Sequence, residues 1–219
     1  MSKLALFHTA EANRVLFSDL LRRLSPHTDA VHEVGADLLA RAVAVGELAE
    51  DVRRDSARRI TDFAASSGAE VILCTCSTLG PAAEDAGALR VDRPMAEQAL
   101  AAAERGRGRI GVLACLASTL DPTLDLLRAV AAETGGTADL TTRLLPDAWA
   151  LFEAGDQRAY WRAVAEAVGG IAAEVDAVVL AQASMAGAAA LCQDSGVPVL
   201  MRWTAPATGI AMCQSADAE

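Results

Sequence analysis

The chain has 219 residues, of which 53% are hydrophobic and 22% charged, a composition typical of a folded protein with a substantial core. Its formal net charge is -10 and no block of Lys or Arg interrupts it, which excludes the basic surface that nucleic-acid binding requires. No apolar run reaches the roughly 18 residues of a membrane helix, and the first residues lack the features of a signal peptide. We therefore expect a cytoplasmic protein without a membrane partner, whose five cysteines are thiols.

Short apolar runs alternate with amphipathic segments along the chain. The predicted strands, in chain order, are Leu4–His8, Val71–Cys76, Ile110–Leu116, Val175–Ala181 and Val197–Trp203. The predicted helices include Asp51–Ser67, Met95–Arg105, Leu120–Thr134 and Gln157–Val175, and glycines follow several of them. Strands without strict polar alternation are typical of parallel sheets that are buried on both faces, so this pattern predicts an α/β fold.

A shift of 106 residues aligns the two halves of the chain without a gap. It superimposes three pairs of segments: Leu4–Phe7 on Ile110–Leu113, Asp19–Arg22 on the identical Asp125–Arg128, and Val71–Leu73 on Ala177–Val179. Apolar matches are common in a chain rich in Ala and Leu, so two unrelated β-α units could also produce them. The recurrence of one shift at three separate places favours an internal repeat.

An internal repeat predicts two pseudosymmetric α/β lobes, each built on a parallel sheet, with the active site in the cleft between the lobes. We assign residues 1–93 and 201–219 to the first lobe and residues 94–200 to the second. Ligands in parallel α/β sheets bind beyond the carboxyl ends of the strands. Four polar clusters follow predicted strand ends and are candidate site residues: His8 and Thr9 with Asn13; Cys76, Ser77 and Thr78; Ser118 and Thr119; and Gln182, Ala183 and Ser184.

Cys76 is the strongest catalytic candidate among these residues. It follows a buried strand and precedes Gly80-Pro81, a pattern that predicts the start of a helix, and a helix N-terminus favours the thiolate form of a nearby cysteine. A buried structural cysteine would occupy the same position, because free cysteines are among the most buried residues. Position alone leaves both interpretations open.

The remaining cysteines and the histidines form no metal or cofactor motif. Cys74 points to the same sheet face as Cys76 and is assigned to the core, while Cys115 could line the cleft but fits the core better. The Cys74-Thr75-Cys76 spacing is not that of a zinc site, and the three histidines form no ligand pattern. A phosphate-binding glycine loop and a nucleophile elbow are also missing from the sequence. We therefore predict neither a metal nor a cofactor.

Three segments carry a family resemblance. Val71–Gly80, Gly108–Leu120 and Val178–Ala186 resemble the first cysteine motif, the mid-chain substrate-binding segment and the second cysteine segment of the aspartate/glutamate/hydantoin racemase superfamily. The resemblance implies two pseudosymmetric lobes, no cofactor, and a cysteine on each face of a small carboxylate substrate. One thiolate removes the proton next to the carboxylate, and the opposite thiol returns one. Cys76 matches the first cysteine, but Gln182 stands at the second position, and an amide neither takes nor gives a proton at neutral pH.

The resemblance implies an isomerase of the racemase or epimerase type. The enzyme would transfer a proton at carbon next to a carboxylate or carbonyl of a small acid, with Cys76 as the acid/base. Because Gln182 replaces the second cysteine, the sequence does not support racemisation by two bases. Arylmalonate decarboxylase, a relative with one catalytic cysteine, makes a decarboxylase or other lyase the alternative. Maleate isomerase uses a cysteine as a covalent nucleophile, and Cys76 could act likewise.

The sequence of the first loop gives information about the identity of the substrate. Amino-acid racemases of this type usually carry an Asp-Ser-Gly stretch there, whereas this chain has His8-Thr9-Ala10-Glu11, so an ordinary aspartate or glutamate substrate is not supported. His8 could supply a second acid or base, although a lone histidine is more often structural or a binding contact.

The remaining candidates would bind and orient the substrate. Gln182 would orient it or donate a hydrogen bond, and the carboxylate would be held by backbone N–H groups and hydroxyls around Ser77, Thr78, Ser118, Thr119 and Ser184. An explanation of another class is a non-catalytic protein that binds a small carboxylate and in which Cys76 is unreactive. We also expect a homo-oligomer, a dimer or higher.

Overall fold

The computed structural model describes residues 3–201. These residues form two compact units that divide between Val91 and Asp92. Each unit contains one four-stranded parallel sheet with flanking helices, so the predicted α/β architecture of two parallel-sheet lobes is confirmed. The predicted cleft site and the predicted lobe boundaries stay predictions, and residues 202–219 of the first predicted lobe lie outside the described residues.

The first unit has the strand order β2-β1-β3-β4. Its elements, in chain order, are β1 (Lys3–His8), α1 (Glu11–Leu24), β2 (Asp29–Val34), α2 (Ala36–Val45), α3 (Glu50–Ser67), β3 (Val71–Cys74), α4 (Gly80–Asp85) and β4 (Leu89–Arg90). One core contains Ala5, Phe7 and Cys74 together with side chains of α2, α3 and α4. The other face of β1 includes the buried Leu4, Leu6 and His8, so this central strand is buried on both faces.

The second unit has the equivalent strand order β6-β5-β7-β8. It begins with α5 (Arg93–Ala103), β5 (Arg109–Ala114), α6 (Ala117–Glu133), β6 (Asp139–Leu144) and α7 (Pro146–Glu153). It continues with α8 (Gln157–Gly169), a 3₁₀ turn (Ala172–Glu174), β7 (Ala177–Leu180), a 3₁₀ segment (Ala183–Leu191) and β8 (Val199–Met201). Alternate residues of β5 enter two cores: Ile110, Val112 and Ala114 pack with α5 and α6, whereas Leu113 and the following Cys115 pack with α7 and α8.

The five predicted strands are all present, with ends that differ by a few residues. Three further strands, β2, β4 and β6, were missed. β2 and β6 are edge strands with mostly half-buried or exposed residues, and they carry polar side chains such as Glu33 and Arg143. The last two residues of the predicted strand Val197–Trp203 lie outside the described residues. The predicted helix Gln157–Val175 was too long, because α8 ends at Gly169 and a 3₁₀ turn follows.

The repeat is real in its strands, but the gap-free alignment was wrong. Lys3 begins β1 and Arg109 begins β5, a shift of 106, and Val71 of β3 and Ala177 of β7 differ by the same amount. In contrast, β2 begins at Asp29 and β6 at Asp139, a shift of 110. The extra residues arise because α6 has 17 residues and α1 has 14, and because a longer turn follows α6. Shorter connections before β7 restore the original shift.

Candidate active site

The predicted site residues of the first unit lie at the carboxyl ends of β1 and β3, which are neighbours in the sheet. His8 ends β1 and Thr9 follows it, whereas Asn13 lies half-buried in the first turn of α1. Cys76, Ser77 and Thr78 form the buried connection from β3 to α4. The backbone N–H of Thr75 donates to the carbonyl of Phe7 at 2.9 Å, so the hydrogen-bonded pairing of the two strands continues to this point.

The Cys76 side chain lies in the apolar core of the first unit. The residue is 7% exposed and belongs to the same cluster as Phe7 and Leu79. Cys74 is buried in that cluster as well, as predicted, and its thiol donates to the Cys76 carbonyl at 3.7 Å. The predicted helix start is present, but α4 begins only at Gly80 and has six residues. The thiol is therefore surrounded mainly by apolar side chains rather than placed directly at a helix end.

Two predicted substrate-binding serines have buried hydroxyls without a hydrogen-bond partner. Within residues 3–201 the Oγ atoms of Ser77 and Ser118 make no hydrogen bond, and the only other side chain of this kind is Ser56 in α3. Leaving a polar group buried and unpaired costs about 1–3 kcal/mol, so folded proteins retain few such groups. Ser77 follows Cys76 directly, and Ser118 lies in the first turn of α6, where helical N–H groups have no partner within the helix.

His8 is completely buried and both of its ring nitrogens are occupied. Nδ1 lies 2.9 Å from the Thr75 hydroxyl and Nε2 lies 2.9 Å from Nδ1 of His32. Burial, and secondly the neighbouring His32, lowers the pKa of His8 to about 3, so the ring is neutral at physiological pH. This geometry leaves no ring nitrogen for the predicted second acid/base. His8 instead ties β1 to β2 and β3, and sequence reasoning missed both of its partners.

In the second unit, Gln182 links the carboxyl ends of β5 and β7. Its Oε1 atom accepts hydrogen bonds from the backbone N–H groups of Cys115 and Leu116, the latter at 3.1 Å. Only the amide oxygen can accept from two N–H donors, so the orientation of the carboxamide is determined. The Nε2 group, which has no partner among the described residues, therefore presents two N–H donors. Gln182 itself is 7% exposed.

Ser184 is held from two directions by α8. Its hydroxyl lies 2.8 Å from the hydroxyl of Tyr160, and its carbonyl accepts a hydrogen bond from the indole of Trp161 at 3.0 Å. The Cys115 thiol also donates to the Tyr160 hydroxyl, at 3.7 Å. Burial raises the pKa of Cys115, which fits a core thiol rather than an acid/base. The sequence contained no local pattern that connected α8 with Ser184.

The other predicted residues of the second unit also lie at strand or helix ends. Thr119 is buried in the first turn of α6, and its carbonyl accepts a hydrogen bond from the Thr123 hydroxyl at 2.8 Å. Ala183, which begins the 3₁₀ segment, is half-buried and contributes only backbone polar groups. In the part of the chain from 3 to 201, no three His, Cys, Asp or Glu side chains form a group that could hold a metal ion. No helix in that part is both long and apolar enough to cross a bilayer.

Two parallel sheets of equivalent strand order, each with polar residues at its strand ends, identify an α/β protein built from two similar units. Comparison with known proteins identifies its family. A model of the Asp/Glu/Hydantoin racemase family matches residues 10–207, so the chain belongs to this family and the resemblance found in the sequence is confirmed. No curated protein matches the chain closely enough to count as a relative.

Solved racemase structures share the fold at low sequence identity. Glutamate racemase from Bacillus anthracis has a TM-score of 0.72 and 13% identity, over 99% of this chain and 82% of that one. Aspartate racemase from Picrophilus torridus has a TM-score of 0.66 and 14% identity, over 92% and 89%. Allantoin racemase from Pseudomonas fluorescens has a TM-score of 0.57 and 17% identity, over 100% and 92%. Family membership supports a racemase-type enzyme, an isomerase, and these comparisons do not support the lyase alternative.

Proposed function

We propose that this protein is a cofactor-independent enzyme of the racemase type. It transfers a proton at carbon next to a carboxylate or carbonyl of a small acid, with Cys76 as the acid and base. The observation that carries this proposal is the buried hydroxyl of Ser77, the residue after Cys76, which has no hydrogen-bond partner within residues 3–201. A hydroxyl without a protein partner, next to the residue that matches the family's first cysteine, is explained by a ligand that supplies the missing hydrogen bond.

The proposed chemistry is a reversible proton transfer. The Cys76 thiolate removes the proton next to the carboxylate, the electron pair moves onto the carbonyl oxygen, and the resulting thiol returns a proton to the same carbon. A positioned acid/base of this kind contributes roughly 100- to 10,000-fold to the rate. Gln182 stabilises the negative charge by donating a hydrogen bond, and it supplies no proton to the opposite face. Hydrogen exchange with solvent is therefore faster than inversion of configuration.

The carboxylate is held by hydroxyl and backbone donors. Ser77 and Ser118 each bring a hydroxyl that has no partner among residues 3–201, and Thr78, Thr119 and Ser184 lie at the same strand and helix ends. Preorganised donors of this type are typically worth about 3 kcal/mol each. The proposal also includes a cytoplasmic location and a homo-oligomeric state, a dimer or higher, which size-exclusion chromatography with light scattering measures.

The test is exchange of the hydrogen next to the carboxylate with solvent deuterium, followed by proton NMR. The panel contains malonate, succinate, both enantiomers of aspartate and glutamate, and a 5-substituted hydantoin. We expect Cys76→Ser to abolish exchange of any acid that the wild type labels, because a serine hydroxyl is a far weaker base at neutral pH.

Cys192→Ser is the matched control, because Cys192 is also 7% exposed but directly follows the 3₁₀ segment of the second unit. This variant should exchange at the wild-type rate. Undiminished exchange by Cys76→Ser would overturn the proposed role of the thiol. Binding of a panel acid without any exchange would favour the non-catalytic carboxylate binder.

A further inference from the structure

We propose that Tyr160 is a positioning residue that directs the Ser184 hydroxyl outward, so that Ser184 and Gln182 together present an O–H and an N–H donor to a carboxylate oxygen of the substrate. This inference rests on the proposed function and deepens it. It assigns a role to a tyrosine of α8 that lies outside the polar clusters at the strand ends. It also assigns carboxylate binding, rather than proton transfer, to the carboxyl end of β7.

Tyr160 lies in the core but directs its hydroxyl to the 3₁₀ segment. The residue is 0% exposed, and its ring packs against Phe152 with the ring centroids 5.3 Å apart. Its hydroxyl has two partners, the Ser184 hydroxyl at 2.8 Å and the Cys115 thiol at 3.7 Å. A buried phenol normally finds a hydrogen-bond partner, and here that partner is a half-buried serine two residues after Gln182.

The direction of these hydrogen bonds follows from the donors available. The Cys115 thiol donates to the phenol oxygen, which leaves the phenol proton for Ser184. A phenol is a stronger acid than an aliphatic alcohol, so it is the better donor of the two hydroxyls. Burial raises the pKa of Tyr160, and the phenol therefore keeps this proton. The Ser184 oxygen then accepts from Tyr160. The Ser184 proton has no acceptor within residues 3–201 and can be donated to a ligand.

The backbone of Ser184 is restrained at the same time. The Trp161 indole donates to the Ser184 carbonyl at 3.0 Å, and the ring lies so close to Gly187 that any side chain there would collide with it. The 3₁₀ segment that carries Ser184 has nine residues, longer than most 3₁₀ helices, and α8 packs along it. Two adjacent aromatic residues of α8 thus hold both the hydroxyl and the carbonyl of one serine.

Gln182 completes the pair through an independent restraint. Its oxygen is held by the N–H groups of Cys115 and Leu116, so only N–H donors remain for a ligand. Ser184 offers an O–H donor for the reason given above. Two donors presented together favour an acceptor, and an anionic carboxylate oxygen is the strongest acceptor in a small acid.

The experiment measures binding of the panel acids by the increase in melting temperature that they cause, together with the exchange rate. We expect Ser184→Ala to weaken binding about tenfold, as for loss of a hydrogen bond to a charged group. Tyr160→Phe should weaken it by a similar factor, with the effect on KM rather than kcat. Phe152→Leu is the control, because it alters the packing of the Tyr160 ring and keeps the hydroxyl.

A double-mutant cycle separates positioning from a structural role. If Tyr160 acts through Ser184, Tyr160→Phe has no further effect on binding in the Ser184→Ala background. Wild-type binding by Tyr160→Phe, or additive losses in the double variant, would overturn the inference while Cys76→Ser still abolishes exchange. If no panel acid binds to or is exchanged by the wild type, the proposed function fails first and this inference fails with it.

Discussion

The carboxyl ends of the central strands carry different chemistry in the two units. In the first unit, β1 and β3 end beside a buried thiol, that of Cys76, and the Ser77 hydroxyl, which has no partner within residues 3–201. In the second unit, β5 and β7 end beside an amide and a serine, Gln182 and Ser184. The shift of 106 residues places Gln182 at the position of Cys76. One repeated backbone thus carries a group able to transfer protons in one unit and hydrogen-bond donors in the other.

The two units also differ in the hydrogen bonds that side chains make between the ends of the central strands. In the first unit two side chains reinforce the strand pairing: the His8 ring lies 2.9 Å from the Thr75 hydroxyl, which also donates to the Phe7 carbonyl at 3.3 Å. The equivalent positions in the second unit are Ala114 and Ala181, which have no polar side chain. There the Gln182 amide bonds to the backbone at the end of β5 instead. The repeat therefore conserves strand pairing without conserving the side-chain contacts that reinforce it.

Among variants that keep Cys76, the largest effect should come from changing Ser77 and Ser118, whose hydroxyls have no partner within residues 3–201. Ser77→Ala in the first unit and Ser118→Ala in the second should each lower kcat/KM by about 100-fold, because each removes a donor to the substrate. Melting temperatures should not fall and should rise slightly, since neither hydroxyl makes a hydrogen bond within residues 3–201 and an unpaired buried hydroxyl is itself destabilising. Ser56→Ala is the control, with the same kind of hydroxyl in α3. A similar loss of activity in Ser56→Ala would remove the link between missing partners and substrate binding.

Gln182→Glu tests whether residue 182 acts as a hydrogen-bond donor to a carboxylate. A carboxylate at this position can still accept from the N–H groups of Cys115 and Leu116, but it repels a substrate carboxylate. At pH 8 we expect binding of the panel acids to weaken by about 10- to 100-fold, with stability close to wild type. Gln182→Ala should instead lower the free energy of unfolding by about 1–3 kcal/mol, because it leaves two N–H groups unpaired. Urea denaturation and melting shifts measure the two effects, and equal destabilisation by both variants would contradict this assignment.

The buried, hydrogen-bonded His8 of the first unit should make the free energy of unfolding depend on pH. The pKa of His8 is lowered from 6.5 to about 3 by burial and by His32. Between these two pH values His8 is protonated in the unfolded chain and neutral in the folded chain. The free energy of unfolding should therefore fall by up to about 1.4 kcal/mol per pH unit as the pH drops from 6.5 towards 3. His8→Asn should reduce this slope, whereas exposed His27→Gln should leave it unchanged. An identical slope in all three proteins, from urea denaturation at pH 7, 6 and 5, would exclude His8 as its source.

The smallest effect should come from restoring a thiol in the second unit. If the proposed function holds, Gln182→Cys should introduce slow inversion of a chiral panel acid that the wild type only exchanges, because a thiol, unlike an amide, can return a proton. The gain should be small, since a thiol placed where glutamine stands has no partner selected to stabilise its thiolate. Chiral chromatography of the deuterated product measures it. Full racemisation by the wild type would show that a group other than Gln182 already performs this step.

The sequence by itself was sufficient for the central strands and for the polar residues at their ends. β1, β3, β5 and β7 are buried on both faces, so each appears in the sequence as a short apolar run, and the 106-residue shift matches their positions. The edge strands β2 and β6 are half-exposed and polar, and local pattern did not distinguish them from loops. Cys76 and Gln182 could be selected because a strand end and a family motif are both local features.

Only the tertiary structure decided what each of these side chains contacts. His8 is 67 residues from Thr75, Gln182 is 67 residues from Cys115, and Ser184 is 24 residues from Tyr160. Parallel strands are joined through helices, so residues at their carboxyl ends are close in space and distant along the chain. A hydrogen bond requires the separation of two such groups to be right to within a few tenths of an ångström, and sequence periodicity carries no information at that scale. For this reason the neutral, fully bonded His8, the oriented Gln182 amide and the Tyr160–Ser184 contact became visible only in the folded chain.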